Sequence, residues 1–330
     1  MKQKILILAL LFVTVLTGCG KKTEDDIYRK FKSKVENSKN YHLAGELELI
    51  NNDSSYMYDV DVSYASKDKF KVSLRNQING HEQIVLRNDE GVYVVTPSLN
   101  KSFKFQSEWP YNNSQAYLLQ TILTDLENDS ERVYEVKGKN HVFTSKVNYS
   151  NNNDLVKQKV YIGEDYIIDK VEVLDKDGNK KIIMKFNDVD MDATYNDDYF
   201  DLDKNVNFEI TETDSVSSIE DIIYPMYIPI NTNLSDQETI KTENGERVIL
   251  TFEGEKSFMF IQETVSVDEN MDIIPVNGEP VVLNDSIGAL TPYSISWYNS
   301  GKEYYLVSSI LDESELLQVA NSISSVPVIK

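Results

Sequence analysis

Tyr41-His42-Leu43-Ala44-Gly45-Glu46-Leu47-Glu48-Leu49 is followed, after Asn51-Asn52-Asp53-Ser54, by Tyr56-Met57-Tyr58-Asp59-Val60-Asp61-Val62-Ser63-Tyr64. In both runs apolar or small residues alternate with polar ones. Successive side chains of a strand point to opposite faces, so a period of two places the apolar set on one face of a sheet. The pair predicts two long antiparallel strands. The same reading extends outward. Phe70, Val72 and Leu74 follow a Lys67-Asp68-Lys69 turn. Asn79-Gly80 is a hairpin signal, and strands at 83–87, 91–96 and 101–105 come next, with Asn88-Asp89-Glu90-Gly91 as a connection. Further strands are expected at 131–137, 141–149, 155–162, 166–174 and 180–187, with Asp177-Gly178-Asn179 as a turn.

Two stretches change period. Thr23-Glu24-Asp25-Asp26 has the form of a helix N-cap with acids in the first turn. Ile27, Phe31 and Val35 then fall on one stripe, predicting a helix over 24–37 that packs on the sheet. Leu119, Ile122, Leu123 and Leu126 predict a second helix over 113–127, capped by Asn112, Asn113 or Ser114. The expected fold class is α+β, a curved antiparallel half-barrel sheet over 24–210 with helices on its concave side. Residues 211–218 are polar, patternless and linker-like. Residues 219–330 form a small C-terminal α+β domain with strands near 246–253, 257–267, 280–283, 294–297 and 303–307. Asn277-Gly278 is a turn there, Asn299-Ser300-Gly301 closes a hairpin, and a helix at 312–323 opens on Asp312-Glu313.

The chain starts with Lys2 and Lys4, then an apolar run from Ile5 to Leu16 interrupted only by Thr14. That run is too short for a hydrocarbon core, which needs roughly 20 residues, so it reads as a targeting segment. Leu16-Thr17-Gly18-Cys19 has the form of a bacterial lipobox. Residues 1–18 are read as a lipoprotein signal peptide and 19–23 as a lipidated anchor and tether. Cys19 would carry diacylglycerol and hold the body at the extracytoplasmic face of the cell membrane. It is the single cysteine, so no disulfide is expected.

Lys and Arg total 33 against 54 Asp and Glu, a net charge of −21. Loss of Lys2 and Lys4 with the leader leaves 31 against 54, or −23. Such a surface repels phosphate backbones, which argues against nucleic-acid binding, and would attract a basic partner. No catalytic constellation stands out. His42, His81 and His141 lack metal-ligand spacing, and no G-x-S-x-G or P-loop occurs. Asp188, Asp190 and Asp192 alternate, but without the Gly and bidentate Glu of a calcium loop. The expectation is a protein that is no enzyme and holds no cofactor or metal.

The strand-rich half resembles the LolA/LolB lipoprotein-carrier fold. The segment Trp109-Pro110-Tyr111-Asn112-Asn113-Ser114-Gln115-Ala116-Tyr117-Leu118-Leu119 is similar to one in the LolA-like sporulation and germination lipoproteins of spore-forming bacteria, the YdcC-like and GerS-related group. The second unit resembles a domain of unknown function found in YdcC-like members. The resemblance implies a protein of the spore and cell envelope, in forespore membranes or the space between them. It implies a protein partner, a cortex-processing N-acetylmuramoyl-L-alanine amidase, and a role in sporulation or germination. The alternative is a carrier or sensor of lipid or lipoprotein acyl chains in the concave pocket. Trp109, Pro110, Tyr111, Asn112, Ser114, Gln115 and Tyr117 are the candidate partner or pocket residues. Trp109 reads equally as a core side chain or a rim anchor, and for the rest the alternative is helix capping and packing.

Overall fold

The computed structural model describes residues 22–51, 54–206, 218–219, 221–242, 245–265, 272–299 and 301–323. Leu16, Thr17, Gly18 and Cys19 lie outside these, as do residues 207–217 and with them nearly all of the expected linker. No helix among the described residues is long and apolar enough to cross a membrane.

Helix α1 (Glu24–Asn37) begins as expected. The Thr23 side chain accepts from the Asp26 amide, and the Asp26 side chain accepts from the Thr23 amide. This reciprocal cap satisfies two donors that a helix start otherwise leaves unpaired. Strands β1 (Asn40–Asn51) and β2 (Ser54–Ala65) pair antiparallel along their whole length, from Asn40 opposite Ala65 to Asn51 opposite Ser54. Hairpins then add β3 (Lys69–Asn76), β4 (Glu82–Asn88), β5 (Gly91–Thr96) and β6 (Lys101–Phe105). Lys67 and Asp68, in the three-residue turn that joins the paired Ala65 and Lys69, both take positive φ.

Helix α2 (Leu119–Asn128) follows, then β7 (Val133–Lys137), β8 (Asn140–Lys146), β9 (Leu155–Ile162), β10 (Ile168–Asp175) and β11 (Lys180–Asp190). β11 returns to pair with β1. The register slips between Ala44 and Gly45, where a Cβ on Gly45 would stand 1.9 Å from the Lys185 carbonyl oxygen. Only glycine allows this approach.

The expectation of one apolar face holds in most strands. Ile27, Phe31 and Val35 of α1 and Leu119, Ile122 and Leu126 of α2 share a core with Leu43, Val62, Val72, Phe143, Val160 and Val171. Each such burial contributes about 1.5–3 kcal/mol. Strands β4 and β5 are buried on both faces. Val85 and Val94 join that core, while Ile84, Leu86, Tyr93 and Val95 meet Phe200, Leu202 and Val206 on the other side.

The second unit forms a seven-stranded sheet, ordered β12-β13-β14-β19-β18-β17-β16. Its strands are β12 (Thr232–Thr242), β13 (Gly245–Gly254), β14 (Phe258–Thr264), β16 (Glu279–Val282), β17 (Ile287–Thr291), β18 (Ser294–Asn299) and β19 (Lys302–Val307). Helix α3 (Glu313–Asn321), capped by Asp312 and Glu315, covers one face with Leu316, Val319 and Ala320. Trp297, Tyr304 and Phe260 stack in parallel beneath it.

The division at residue 219 is not a clean one. Strand β15 (Asp272–Val276) leaves the second unit and pairs in parallel with β6, making the larger sheet twelve-stranded, in the order β15-β6-β5-β4-β3-β2-β1-β11-β10-β9-β8-β7. Asn277-Gly278 therefore links two sheets rather than closing a hairpin. The larger sheet is open, with β15 and β7 as its edges, and does not close into a barrel. Overall the described chain is mostly β-sheet with few helices.

Candidate partner-binding region

The segment 109–118 crosses from β6 to α2 over the end of the sheet. Trp109 is buried at 2% exposure, packed edge-on against Phe70 at 6.0 Å. Its amide donates to Ser107 Oγ, and its carbonyl accepts from the Arg87 guanidinium. The rim-anchor reading of Trp109 is therefore corrected: the ring is core. Pro110, reached through a cis peptide bond, is buried beside it.

Tyr111 is the exposed member of the segment. Its hydroxyl donates to Asp68 Oδ1 at 2.6 Å, and the Arg87 guanidinium lies 5.5 Å from the ring centroid. Burial, then the Asp68 carboxylate, pushes the phenol well above its usual range.

The helix that follows starts later than expected. Leu118 is at the N-cap position, and Asn112, Asn113 and Ser114 cap nothing. Their bonds go to the β8–β9 connection instead. Asn113 Oδ1 accepts from the amide and hydroxyl of Ser150, and the Asn112 carbonyl accepts from Asn148 Nδ2. Ser114 exchanges backbone and side-chain bonds with Asn148, and its hydroxyl donates to Asp125 Oδ2 at 2.7 Å. The Gln115 amide donates to Thr121 Oγ1, which donates back to the Gln115 carbonyl. Tyr117 is buried in the core.

Asp125 was missed in the sequence because nothing in an amphipathic helix marks one inward carboxylate. Gln158 Nε2 donates to the same Oδ2 at 3.1 Å. Burial raises its pKa to about 6, against the lowering effect of the Ser114 and Gln158 bonds. With Asn112, Asn113, Ser114 and Gln115 it forms a polar latch that fixes the segment. The candidate residues are thus brought together, but mostly as scaffold, with Tyr111 presented outward.

Two other features were not legible. The first is the join between units. The Tyr58 hydroxyl donates to the Asn284 carbonyl at 2.9 Å, Gln83 accepts from the Ile287 amide, and Phe103 stacks on Tyr298 at 4.7 Å. Ile287 and Ala289 belong to the first unit's core. A cavity of about 100 Å³ remains here, lined by Gln83, Phe103, Phe105, Val276, Tyr298 and Glu303 among others. Burial pushes the Glu303 carboxyl up, opposed by a hydrogen bond from Tyr298. α1, α2 and, from the second unit, Ile287 and Ala289 pack into the first unit's core. The remaining space is below the roughly 300–1,000 Å³ of typical ligand pockets.

The second is the run Tyr224-Pro225-Met226-Tyr227-Ile228-Pro229-Ile230. Met226 is 90% and Ile230 80% exposed, and Tyr224, Tyr227 and Ile228 are also open to solvent. Exposed apolar side chains in one continuous run mark interaction surfaces. Residues 219–323, which include the run, carry 18 Asp and Glu against four Lys and Arg. Among the described residues, no group of three or more His, Cys, Asp or Glu could hold a metal ion.

The Bacillus subtilis sporulation protein YdcC is 34% identical over 322 residues, covering 96% of this chain and 95% of its own length. Among solved structures, the Pseudomonas aeruginosa MucA/MucB complex is similar over 91% of this chain and 98% of the matched chain, at 13% identity and a TM-score of 0.35. The CwlD amidase from Clostridioides difficile in complex with the GerS lipoprotein is similar over 53% of this chain and 98% of the matched chain, at 17% identity and a TM-score of 0.24. Scores at this level carry no functional weight. No known family profile matches the chain.

Proposed function

The chain belongs to the family of the sporulation protein YdcC, and from that membership we propose that it is a non-enzymatic, membrane-anchored lipoprotein of the spore and cell envelope. It is exported, cleaved ahead of Cys19, acylated there, and retained on the extracytoplasmic face. It binds a protein partner, a cortex-processing N-acetylmuramoyl-L-alanine amidase, in sporulation or germination. The observation that carries this reading is the near end-to-end relationship to a sporulation protein, joined to the lipobox at Leu16–Cys19.

The partner surface is the Tyr224–Ile230 run, with Tyr111 as a second, smaller contact. Apolar anchors on an acidic unit suit a partner with basic surface, since charge complementarity steers encounter while buried aromatic and aliphatic anchors supply affinity. A carrier or sensor of acyl chains remains the alternative, and the small cavity between the units weighs against it.

Deletion of the gene, with sporulation yield, muramic-δ-lactam content and germination measured, tests the proposal. A loss in lactam or germination supports it. Normal values for all three contradict it.

A further inference from the structure

The chain is acidic, yet cations concentrate where it leaves the anchor. Arg29, Lys30, Ser33 and Lys34 line one exposed groove on α1, opposite its buried stripe, and Tyr166 of the β9–β10 turn closes it. Lys22 and Lys30 sit over the Tyr166 ring at 4.5 and 4.4 Å, and Lys30 donates to the Tyr166 hydroxyl at 3.0 Å. The Lys22 ammonium also donates to the Glu164 carbonyl at 3.1 Å, fixing the chain's exit point against this turn. Asp26, the acid in the groove, is held by Arg29 at 2.8 Å, while Glu164 and Asp165 flank the turn.

Resting on the anchoring reading above, we propose that this face of α1 and the Tyr166 turn lies on the membrane and contacts anionic lipid headgroups. Chain length carries the argument. Lys22 is three residues after Cys19, and three residues span at most about 11 Å. A lipidated Cys19 sits at headgroup level, so the body cannot stand off on a long tether. The surface nearest Lys22 must be the surface nearest the lipid. The groove's cations face the negative leaflet there, and Tyr166 brings the amphipathic ring that membrane interfaces favour. The surrounding acidic body is repelled, which confines contact to this side.

The strands give an internal ruler. β10 runs eight residues away from the Tyr166 turn, so the Asp177–Asn179 turn stands about 26 Å from it at roughly 3.3 Å per residue. Because Cys19 is the single cysteine and is consumed by acylation, Glu164→Cys or Asp177→Cys gives a unique thiol for a fluorophore. The acylated full-length protein is placed in vesicles of phosphatidylglycerol and phosphatidylcholine carrying a headgroup quencher, and its acyl mass is verified. The label at position 164 is expected to be quenched several-fold more than that at 177. The difference should shrink with salt, and with Arg29→Gln, Lys30→Gln and Lys34→Gln combined. Equal quenching at both positions in acylated protein overturns the orientation and leaves the anchoring reading standing. A difference untouched by salt and by the triple variant overturns the headgroup contact. Protein without acyl mass removes both.

Discussion

Asp125 on α2 accepts the hydroxyl bond of Ser114 at 2.7 Å, and with Thr121, which bonds the Gln115 backbone, it ties the helix to the segment that leads into it. The carboxyl is largely shielded, and burial lifts its pKa from 3.8 to about 6. A raised carboxyl favours the protonated folded state. The stabilisation is therefore complete below 3.8 and is lost as pH rises through about 6. Asp125→Asn keeps an oxygen for Ser114 and Gln158. Its urea midpoint is expected to be flat between these pH values where the parent's falls, with a gain at neutral pH of up to about 3 kcal/mol. Parallel pH profiles for the two proteins would contradict the assignment.

Glu172 behaves in the opposite sense. Burial pushes its carboxyl up, but bonds from Lys170 at 2.7 Å, Lys180 at 2.8 Å and Tyr161 at 3.0 Å outweigh this and bring it to about 2. A depressed carboxyl contributes stability above its unfolded pKa, which is lost as pH falls through the folded one. Acid unfolding of the parent should steepen between 4.5 and about 2. In Glu172→Gln that limb should flatten, with lower stability at neutral pH because two lysines lose their partner. Circular dichroism during acid titration reads both.

The parallel pairing of β15 with β6 joins the two units, and they are expected to unfold together. Ile274 packs against the first unit's core from β15. Trp109 reports on the first unit and Trp297 on the second. Single-tryptophan variants (Trp297→Phe and Trp109→Phe) should lose fluorescence at the same urea concentration in the parent background. Adding Ile274→Asp, a charge in the half-buried apolar contact at the join, should separate the two transitions. Coincident transitions in that variant would mean the join lies elsewhere.

Met226 and Ile230 are so exposed that stability does not depend on them. Met226→Ser with Ile230→Ser should leave the urea midpoint within about 0.5 kcal/mol of the parent, as surface changes usually do. The same pair should weaken capture of the amidase by at least tenfold in a surface-binding assay. Unchanged capture would move the partner surface away from this run.

The strands of the first unit were legible because one face is buried, and burial on one face writes a period of two into the sequence. β1 and β2 show this from Tyr41 to Tyr64. The α1 cap was legible because Thr23 and Asp26 are local. What failed was non-local. Ser114 has the chemistry of a helix cap, but its hydroxyl is taken by Asp125 and its amide by Asn148, so the helix begins at Leu119. β12 is an edge strand exposed on both faces and has no apolar alternation to read. β15 is short, contains Pro275, and finds its partner in a strand far back in the sequence. Trp109 could be read as core or rim until Phe70 was seen beside it. The solvent exposure of the Tyr224–Ile230 run follows only from the three-dimensional arrangement.

The account places an acidic, β-rich body on the outer side of a bilayer through Cys19. The most direct measurement is the intact mass of the protein extracted from membranes of sporulating cells, beside its Cys19→Ser variant. The account predicts a mature chain beginning at Cys19 with added diacylglycerol, and an unprocessed, unacylated variant. A parent chain free of acyl mass, or equal acylation of the serine variant, would contradict it.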